Sequence, residues 1–448
     1  MFSLKGRFVV IRRVILFVIG IFFAAGLAAH AADYLTLDEA IAIALKNNPV
    51  VKAEEQNVQG RRFEERVSFA NLLPKVDLNY SYQHQNTTPT MTIPMNTIVG
   101  GQPAVVPFDV STGFQDTYSF QVTATQPLYM GGALYNAYKI AGNTYRASTL
   151  NRDQTLRDLK RQVIDGYYRL IQARQTLEVA RSSMASIKAH LDVANAFYGQ
   201  GMIPKNDLLE AEVSYAQSQQ TVIQADNSAK VAESGLNRLL GRDLSVPIQT
   251  DREIPMQELG TTLDEAIGTA LKNRQEIRVT ELQIDSASKG ITIARAGYLP
   301  NLAASASFTK YGEEPDIDYD ETWTAGLGLS WNVFQGGASR YSVSRAIADR
   351  DQLTFLLQSQ KDQVALEVKN DYLSAVEANA RIGVASKAIA QAEENLRIQK
   401  DRFNLQVATT TDILDAQALL NRAQMNYILA RSDYARSLAA LRADMGEL

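Results

Sequence analysis

The sequence predicts a mainly α-helical chain with a transmembrane β-barrel portion, in which one structural unit is made twice. Three observations support this: an internal repeat, four segments of alternating apolar and polar residues, and long stretches of apolar residues spaced 3 and 4 apart. Residues 36–41 return as 262–267 at an offset of 226 (262 − 36), and residues 131–132 return as 336–337 at an offset of 205 (336 − 131). The first copy therefore contains an insertion of 21 residues (226 − 205) between the segment that repeats at the first offset and the segment that repeats at the second.

The copies span about residues 32–241 and 261–448, and the segment 242–260 between them contains two prolines and is interpreted as a linker. A repeat this long is too large for a solenoid unit, whose period is about 20 to 50 residues. It indicates a pseudo-symmetric protomer, which favours a ring or a channel over a single enclosed site.

Residues 1–31 have the pattern of a secretory signal peptide. Four basic residues precede an apolar run at 14–27, and small residues follow it at 29–31; the basic residues are Lys5, Arg7, Arg12 and Arg13. An uncleaved inner-membrane anchor is the alternative, but the apolar run is shorter than the roughly 20 residues of a spanning helix. The pattern predicts export and cleavage.

The composition excludes several classes of function. The chain has no cysteine, so disulfides, thiolate metal sites and an acylated N-terminal cysteine are ruled out. Only His84 and His190 lie beyond the signal segment, so neither a histidine metal site nor a catalytic triad is expected. Without residues 1–31 the chain has 41 basic (45 − 4) and 49 acidic residues, and this negative balance disfavours nucleic acid. We expect no enzyme activity, no cofactor and no metal.

Each copy is predicted to open with a helix that starts at a capping box. Thr36 precedes Glu39 by three residues in the first copy, and Thr262 precedes Glu265 in the second. In this motif the hydroxyl and the carboxylate accept each other's backbone N–H groups at the helix start. The opening helices are expected to run to the Leu-Pro pairs at 73–74 and 299–300, where proline favours extended backbone.

Strands are predicted at about 75–86, 114–127, 301–311 and 321–334, because apolar and small polar residues alternate there. This period fits a barrel wall between lipid and water, although a soluble antiparallel sheet has the same period. The residues expected in an aromatic membrane girdle are Trp323, Trp331, Tyr80, Tyr82, Tyr118 and Phe120. Four strands cannot close a barrel, so several protomers must contribute strands. The insertion at 87–113 is expected to be an outer loop.

Long helices are predicted at about 133–198, 206–240, 338–403 and 411–445. Their apolar stripes keep a repeat of 3.5 residues, which is typical of coiled coils. In the second copy the stripe contains Val364, Val368, Asp371, Ala375, Ala378, Ile382, Ala385, Ile389, Ala392, Leu396, Gln399 and Phe403. A continuous helix over 133–198 would be about 100 Å long, which suits a periplasm-crossing device. The turns at 199–204 and 404–409 form the predicted tip.

These motifs together resemble the outer membrane efflux protein (TolC-like) family. The resemblance rests on the signal peptide, the duplicated TLDEA segment, the Leu-Pro strand entries, the Gly-Gly strand-to-helix turns, and the acidic helix starts at 206–211 and 411–416. It covers nearly the whole chain after residue 31.

The resemblance implies a homotrimer in the outer membrane of a Gram-negative bacterium, with twelve strands in one barrel and twelve helices in a tunnel. It also implies two partners, a periplasmic adaptor protein and an inner-membrane pump of the RND, ABC or MFS type. The channel would export drugs, metals or secreted proteins, in efflux or type I secretion. The alternative is a coiled-coil surface adhesin or structural protein with a small barrel anchor.

The resemblance also implies which residues surround the periplasmic entrance: Asp207, Glu210, Asp412, Asp415 and Phe403. The alternative for the acids is that they only cap helix starts. The turn residues expected to contact the adaptor are Gly201, Met202, Ile203, Val407 and Ala408. Phe403 and Ala408 occupy the positions of a tyrosine and an arginine that latch the family's entrance. Lys205 or Arg402 could supply the missing cation.

Overall fold

The computed structural model describes residues 33–315 and 320–448, so the predicted signal peptide lies outside the described residues. Helices α1 to α8 are Leu37–Asn47, Pro49–Ala70, Ala133–Gly199, Lys205–Leu240, Leu263–Asn273, Gln275–Ala296, Ala338–Asn404 and Thr410–Asp444. Strands β1 to β8 are Asp33–Tyr34, Lys75–His84, Thr90–Val99, Gln102–Ser111, Asp116–Met130, Ile248–Gln249, Asn301–Gly312 and Asp320–Ser330. The order of short helices, strands and long helices occurs twice, which confirms the predicted duplicated fold.

The opening helix of each copy is two helices, not the single helix that the sequence predicted. Both predicted capping boxes are present at the start of the first of these, at Thr36 and Thr262. The break in the first copy is at Asn48 (φ −62°, ψ 127°), whose extended backbone is favoured by the proline that follows it. The break in the second copy is at Arg274 (φ −63°, ψ 124°), where no proline follows.

A four-stranded antiparallel sheet in the order β2-β5-β7-β8 joins strands from both copies. Its register aligns the predicted apolar positions across all four strands. One such row is Leu78, Val122, Phe308 and Trp323, and the next row is Val76, Ala124, Ala306 and Ala325. The polar positions align in the rows between them, as in Asp77, Thr123, Ser307 and Thr324. The sheet therefore has one apolar face and one polar face.

Two strand ends differ from the predicted ones by more than two residues. Strand β5 continues to Met130 through an irregularity between Pro127 and Tyr129, where one extra residue disturbs the pairing. Strand β8 ends at Ser330, although the alternation in the sequence continues to Val333. Its neighbour β7 begins at Asn301, the partner of Ser330, so within the described residues β7 offers no partner to the residues after Ser330. Trp331 consequently lies just outside the strand.

The insertion in the first copy is a β-hairpin and not the predicted loop. Strands β3 and β4 pair in register from Thr90↔Ser111 to Val99↔Gln102. Two glycines with positive φ (63° and 85°) join them, Gly100 and Gly101. Two-residue hairpin turns with positive φ at both positions match the twist of the flanking strands, and the isoleucines, valines and threonines nearby favour extended backbone.

The chain divides into two compact units. The first contains the described residues up to Ala53 with Gln154–Arg274 and Gln363–Leu448, and the second contains Glu54–Asp153 with Gln275–Asp362. The largest fully buried side chains of the first unit include Tyr167, Leu170, Leu236 and Leu240. In the 242–260 linker, β6 pairs in parallel with β1 beside this core. Over the described ranges, no helix is both long and apolar enough to span a bilayer.

Candidate functional site

The turn between α3 and α4 is closed by backbone hydrogen bonds around a left-handed glycine. The N–H of Met202 donates to the Phe197 carbonyl (2.9 Å), and Gly201 has φ 73°. This is a common helix ending, in which glycine takes the conformation that a side chain disfavours. Gly201 and Met202 are exposed, whereas Ile203 packs against a buried cluster that includes Leu208.

The turn between α7 and α8 has the same geometry. The N–H of Val407 donates to the Arg402 carbonyl (2.9 Å). Its left-handed residue is Gln406 (φ 60°), which matches Gly201 at the repeat offset (406 − 205 = 201). Val407 is exposed and Ala408 is half-buried. Both predicted tip segments are therefore tight, solvent-exposed turns in the first unit.

The two acids of α8 that were predicted at the entrance have different local roles. Asp412 belongs to a capping box in which both the N–H and the hydroxyl of Thr409 donate to its Oδ2 (2.8 Å each). These hydrogen bonds, that of the backbone first, lower the pKa of Asp412. Asp415, one turn further, is exposed. The cap predicted for Asp412 is therefore present, and it leaves the carboxylate at the surface.

The two acids of α4 that were predicted at the entrance do not cap their helix, because its N-cap is Pro204, which makes no side-chain hydrogen bond. Asp207 accepts a hydrogen bond from the Nδ2 of its neighbour Asn206 (2.7 Å). Glu210 accepts from the hydroxyl of Thr411 on α8, at 3.0 Å to Oε2 and 3.2 Å to Oε1. The starts of α4 and α8, from the two copies, are thus directly linked.

Phe403 does not line a surface in the structure, which corrects its predicted place at the entrance. Its side chain is only 3 % exposed and packs between two rings of α3. The Phe197 ring stacks on it at a centroid distance of 5.6 Å, and the His190 ring meets it edge-on at 4.9 Å. Its position in the apolar stripe of α7 explains this burial.

Of the two cations that could replace the family's latch arginine, only Arg402 has side-chain hydrogen bonds in the structure, and they lie within its own turn. Arg402 turns back onto its own turn, where it donates to the Val407 carbonyl (3.2 Å) and to Gln399 (3.4 Å). Lys205, the first residue of α4, is exposed.

A polar network between α3 and the second-copy helices was not predicted. Lys400 donates to Ser186 (3.1 Å), and Ser186 donates to Gln417 (2.7 Å). Gln417 donates to Asn421 (2.9 Å), which donates to Ser183 (2.6 Å). Gln417 and Ser183 are both buried, a property that the structure shows and the sequence does not. Such a satisfied network fixes the register of the packed helices.

The predicted girdle residues lie at the two ends of the sheet's apolar face. Near one end the Tyr82 and Tyr118 rings are in contact (4.8 Å), and Tyr80 pairs with Phe120 in the next row, which continues with the ion pair of Lys310 and Glu321. Trp323 is in the row after that and is 77 % exposed. Trp331 lies at the opposite end of β8, where its Nε1 donates to the Tyr298 carbonyl (3.1 Å). Aromatic residues at both ends of an exposed apolar band are typical of membrane barrels.

Comparison with known proteins agrees with this architecture. The sequence model described as "Outer membrane efflux protein" matches residues 40–242 and 266–447. The alkaline protease secretion protein AprF of Pseudomonas aeruginosa is 23 % identical over 414 residues, which cover 91 % of this chain and 83 % of AprF. The outer membrane protein TolC of Vibrio cholerae is 22 % identical over 346 residues, which cover 74 % of this chain and 77 % of TolC.

Solved structures share the fold. The outer membrane protein VceC of Vibrio cholerae superposes with a TM-score of 0.76 at 18 % identity, covering 92 % of this chain and 96 % of VceC. The CmeC outer membrane channel of Campylobacter jejuni gives a TM-score of 0.77 at 16 % identity, covering 92 % of this chain and 85 % of CmeC. These relatives do not support the alternative of a surface adhesin. The chain belongs to the outer membrane efflux protein family and is a channel protein of the Gram-negative outer membrane.

Proposed function

We propose that three copies of the chain form one export channel, which receives substrates from an inner-membrane pump through a periplasmic adaptor protein. The pump is of the RND, ABC or MFS type, and the substrates are drugs, metals or secreted proteins. Relatives named for protease secretion and for efflux support both classes of export. The protomer itself is not expected to carry out a chemical reaction.

The observation that carries this proposal is the open sheet with an exposed apolar face. In the part of the chain that the structure describes, β2 and β8 are the sheet's outer strands and pair on one side only. Leu327 and Leu329 on the apolar face are 71 % and 66 % exposed. In a bilayer such edges must be closed, because lipid offers no hydrogen bonds. An even number of antiparallel strands lets β8 of one copy pair with β2 of the next, and three copies supply twelve strands.

The helices offer matching surfaces for neighbouring copies. Helix α4 has a stripe of exposed apolar residues, namely Leu209, Val213, Ile223 and Val231. Helix α7 has another, namely Leu366, Leu373, Val384 and Ile398. Exposed apolar stripes on long helices indicate packing partners outside the chain. We assign these two stripes to the contact between neighbouring protomers.

The tip has the two parts that the proposal requires. Exposed carboxylates at the start of α8, Asp412 and Asp415, would form a ring of six in a trimer and attract cations. Asp207 and Glu210 add acids at the start of α4. The exposed turn residues offer apolar contacts for the adaptor, among them Met202 and Val407. Ile203 and Ala408 are half-buried beneath these turns and would hold their shape.

Cysteine crosslinking tests the assembly directly, because the natural chain contains no cysteine. Ile223 and Val384 are both exposed and suit substitution by cysteine. Val384 corresponds to position 179 (384 − 205) of α3, next to Ala180, which shares a buried cluster with Ala225 near Ile223. The repeat therefore places the two residues at similar heights along their helix pairs.

The double variant Ile223→Cys/Val384→Cys is treated in outer membranes with bifunctional maleimides of graded length. The proposal expects a ladder on denaturing gels that ends at the trimer. Each single variant serves as a control and should not yield the trimer. A ladder that ends at a dimer, or continues past the trimer, contradicts the proposed assembly.

A further inference from the structure

Arg274 is a buried arginine at the break between α5 and α6, and it joins three helices. Its side chain is 7 % exposed. Its Nε donates to the Asp444 carbonyl at the end of α8 (2.9 Å), and its Nη2 contacts the Asp444 carboxylate (2.9 Å). Its two terminal nitrogens also donate to Glu367 on α7 (2.8 and 2.9 Å). One guanidinium therefore serves two carboxylates.

A third carboxylate, that of Asp371, stands one turn beyond Glu367 on α7. The charges of Asp444 and Glu367 both act on Asp371. Asp371 is thus a third acid beside the two carboxylates that Arg274 pairs. The further charged groups that face Asp371 from α3, α7 and α8 are Arg161, Asp165, Glu377, Arg381, Asp433 and Arg436. Most of these are paired with each other: Asp165 with Arg436, and Asp433 with Arg381.

Asp371 cannot be ionised here without cost. Burial first, and then the charge and the hydrogen bond of Asp444, raise its pKa to about 6, whereas Arg161 acts in the opposite direction. Two carboxyls can form a hydrogen bond with each other only when one of them carries a proton.

The first copy has the same contact without the charges. Asn48 matches Arg274 (274 − 226), and its Nδ2 donates to the carbonyl of Leu239 (2.9 Å), which matches Asp444 (444 − 205). Gln162 and Gly166 match Glu367 and Asp371 (367 − 205 and 371 − 205). A neutral side chain is therefore sufficient to fix the break between the two opening helices to the end of the long helix beside it. The arginine and the three acids are an addition that only the second copy has.

We propose that Asp371, Asp444, Glu367 and Arg274 form a proton-binding site, through which the packing of α7 against the end of α8 depends on pH. This goes beyond the proposed export function and does not depend on it. With the proton bound, Asp371 and Asp444 attract each other through a hydrogen bond. Without it, the negative charges of Asp371 and Asp444 repel each other, and Arg274 is already paired with Glu367 and Asp444.

The direction of the pH effect follows from the raised pKa. Asp371 binds its proton more tightly in the folded protein than in an unfolded chain, where an aspartate has a pKa of about 4. Its contribution to folded stability is therefore greatest below pH about 4 and is lost as the pH rises through about 6. The end of α8 should loosen over this range.

The test compares the full-length protein with its Asp371→Asn variant, in which a neutral amide replaces the carboxyl. The matched control is Glu393→Gln, an exposed carboxyl on the same helix that is not among the groups facing Asp371. Infrared difference spectra between pH 5 and pH 7.5 should show a protonated-carboxyl C=O band in all three proteins, because ordinary carboxyls are partly protonated at pH 5. The band should be about as intense in Glu393→Gln as in the wild type, and weaker by about one carboxyl in Asp371→Asn.

Amide hydrogen exchange gives a second readout at the predicted location. After correction for intrinsic exchange, protection of residues 440–448 in the wild type should fall about 10-fold or more from pH 5 to pH 7.5, the factor for one unit of pKa. Asp371→Asn should keep its protection. If the wild type and Asp371→Asn share the same infrared difference and the same change in protection, the proposed proton site does not exist.

Discussion

The hydroxyl of Thr411 on α8 donates to the carboxylate of Glu210 on α4, with 3.0 Å between Oγ1 and Oε2. The two residues are 201 positions apart in the sequence and belong to different copies of the repeat. Each lies within the first two turns of its helix, so the bond connects the two tips of one protomer. It links the two helix pairs without the tyrosine and the arginine that the family resemblance implies for the entrance latch.

Removal of this hydroxyl should loosen the tip without disturbing the helices. Thr411→Val keeps the shape of the side chain, and we expect a loss of about 1 kcal/mol in local stability, typical of one hydrogen bond. Amide exchange of the α8 start measures the effect. A double-mutant cycle with Glu210→Gln tests the pairing. If the two effects simply add, the two side chains do not interact in the membrane.

The turn between α7 and α8 should be improved by glycine. Gln406 has φ 60°, a conformation that costs a residue with a side chain roughly 1 kcal/mol. Gln406→Gly should therefore slow amide exchange in the turn. Gly201→Ala, at the matching position of the first copy (φ 73°), should have the opposite effect. If Gln406→Gly does not slow amide exchange in its turn, or Gly201→Ala does not speed it in the other, the backbone conformations assigned to these two residues are wrong.

The two faces of β8 should respond differently to charge. Leu327 pairs with Ala304 on the apolar face, and Leu327→Arg should impair assembly by about 2–4 kcal/mol if the site is near the bilayer midplane. Gly328 lies on the polar face, where an added Cβ meets nothing within 4 Å, so Gly328→Arg should be tolerated. Ser330→Arg is a second control. The amount of heat-resistant oligomer on gels is the measurement; equal damage from all three contradicts a lipid-facing Leu327.

Periodicity in the sequence was sufficient to predict the four strands of the sheet and the four long helices, because burial repeats every second residue in strands and at spacings of 3 and 4 in helices. It could also have corrected the interpretation of Phe403. That residue belongs to the 3.5-residue stripe of α7, which predicts burial, whereas its match to a family motif suggested the entrance. The structure agrees with the stripe. Asp371 in the same stripe was a visible sign of the charged cluster.

Other features depend on contacts that no local pattern encodes. The break at Arg274 has no proline, and its extended backbone goes with ion pairs to Glu367 and Asp444, about 90 and 170 residues away in the chain. Only the repeat match to Asn48 and its proline could have indicated it. The pairing of Thr411 with Glu210 likewise follows from how the two helix pairs pack.

Acid should weaken the tip through His190. Burial, and after it the charge of Lys400, lowers the pKa of His190 to about 4. Since an unfolded histidine has a pKa of about 6.5, its contribution to stability is present above that value and is lost as the pH falls toward 4. His190→Leu should therefore lose less heat resistance than the wild type between pH 7.5 and pH 5. The loss of heat resistance in Lys400→Met should lie between those of the wild type and His190→Leu, because this variant removes the charge of Lys400 but leaves His190 buried.

The exposed acids of α8 should set the ion preference of the channel. In the proposed trimer, Asp412 and Asp415 give six carboxylates around the entrance, a field that favours cations. The pKa of Asp412 is lowered by its hydrogen bonds with Thr409, so it stays charged at neutral pH. Asp412→Asn with Asp415→Asn should reduce cation selectivity in planar bilayers and weaken block by multivalent cations.

The stability of the double variant distinguishes a role in ion selectivity from helix capping alone. Asparagine also caps helix starts well, so the double variant should assemble like the wild type. The control is Asp192→Asn, which removes an exposed acid of α3 that pairs with Lys188 and is in neither turn. It should leave selectivity unchanged. If the double variant conducts with the selectivity and block of the wild type, Asp412 and Asp415 do not face the conduction path, and Asp412 serves only as a helix cap.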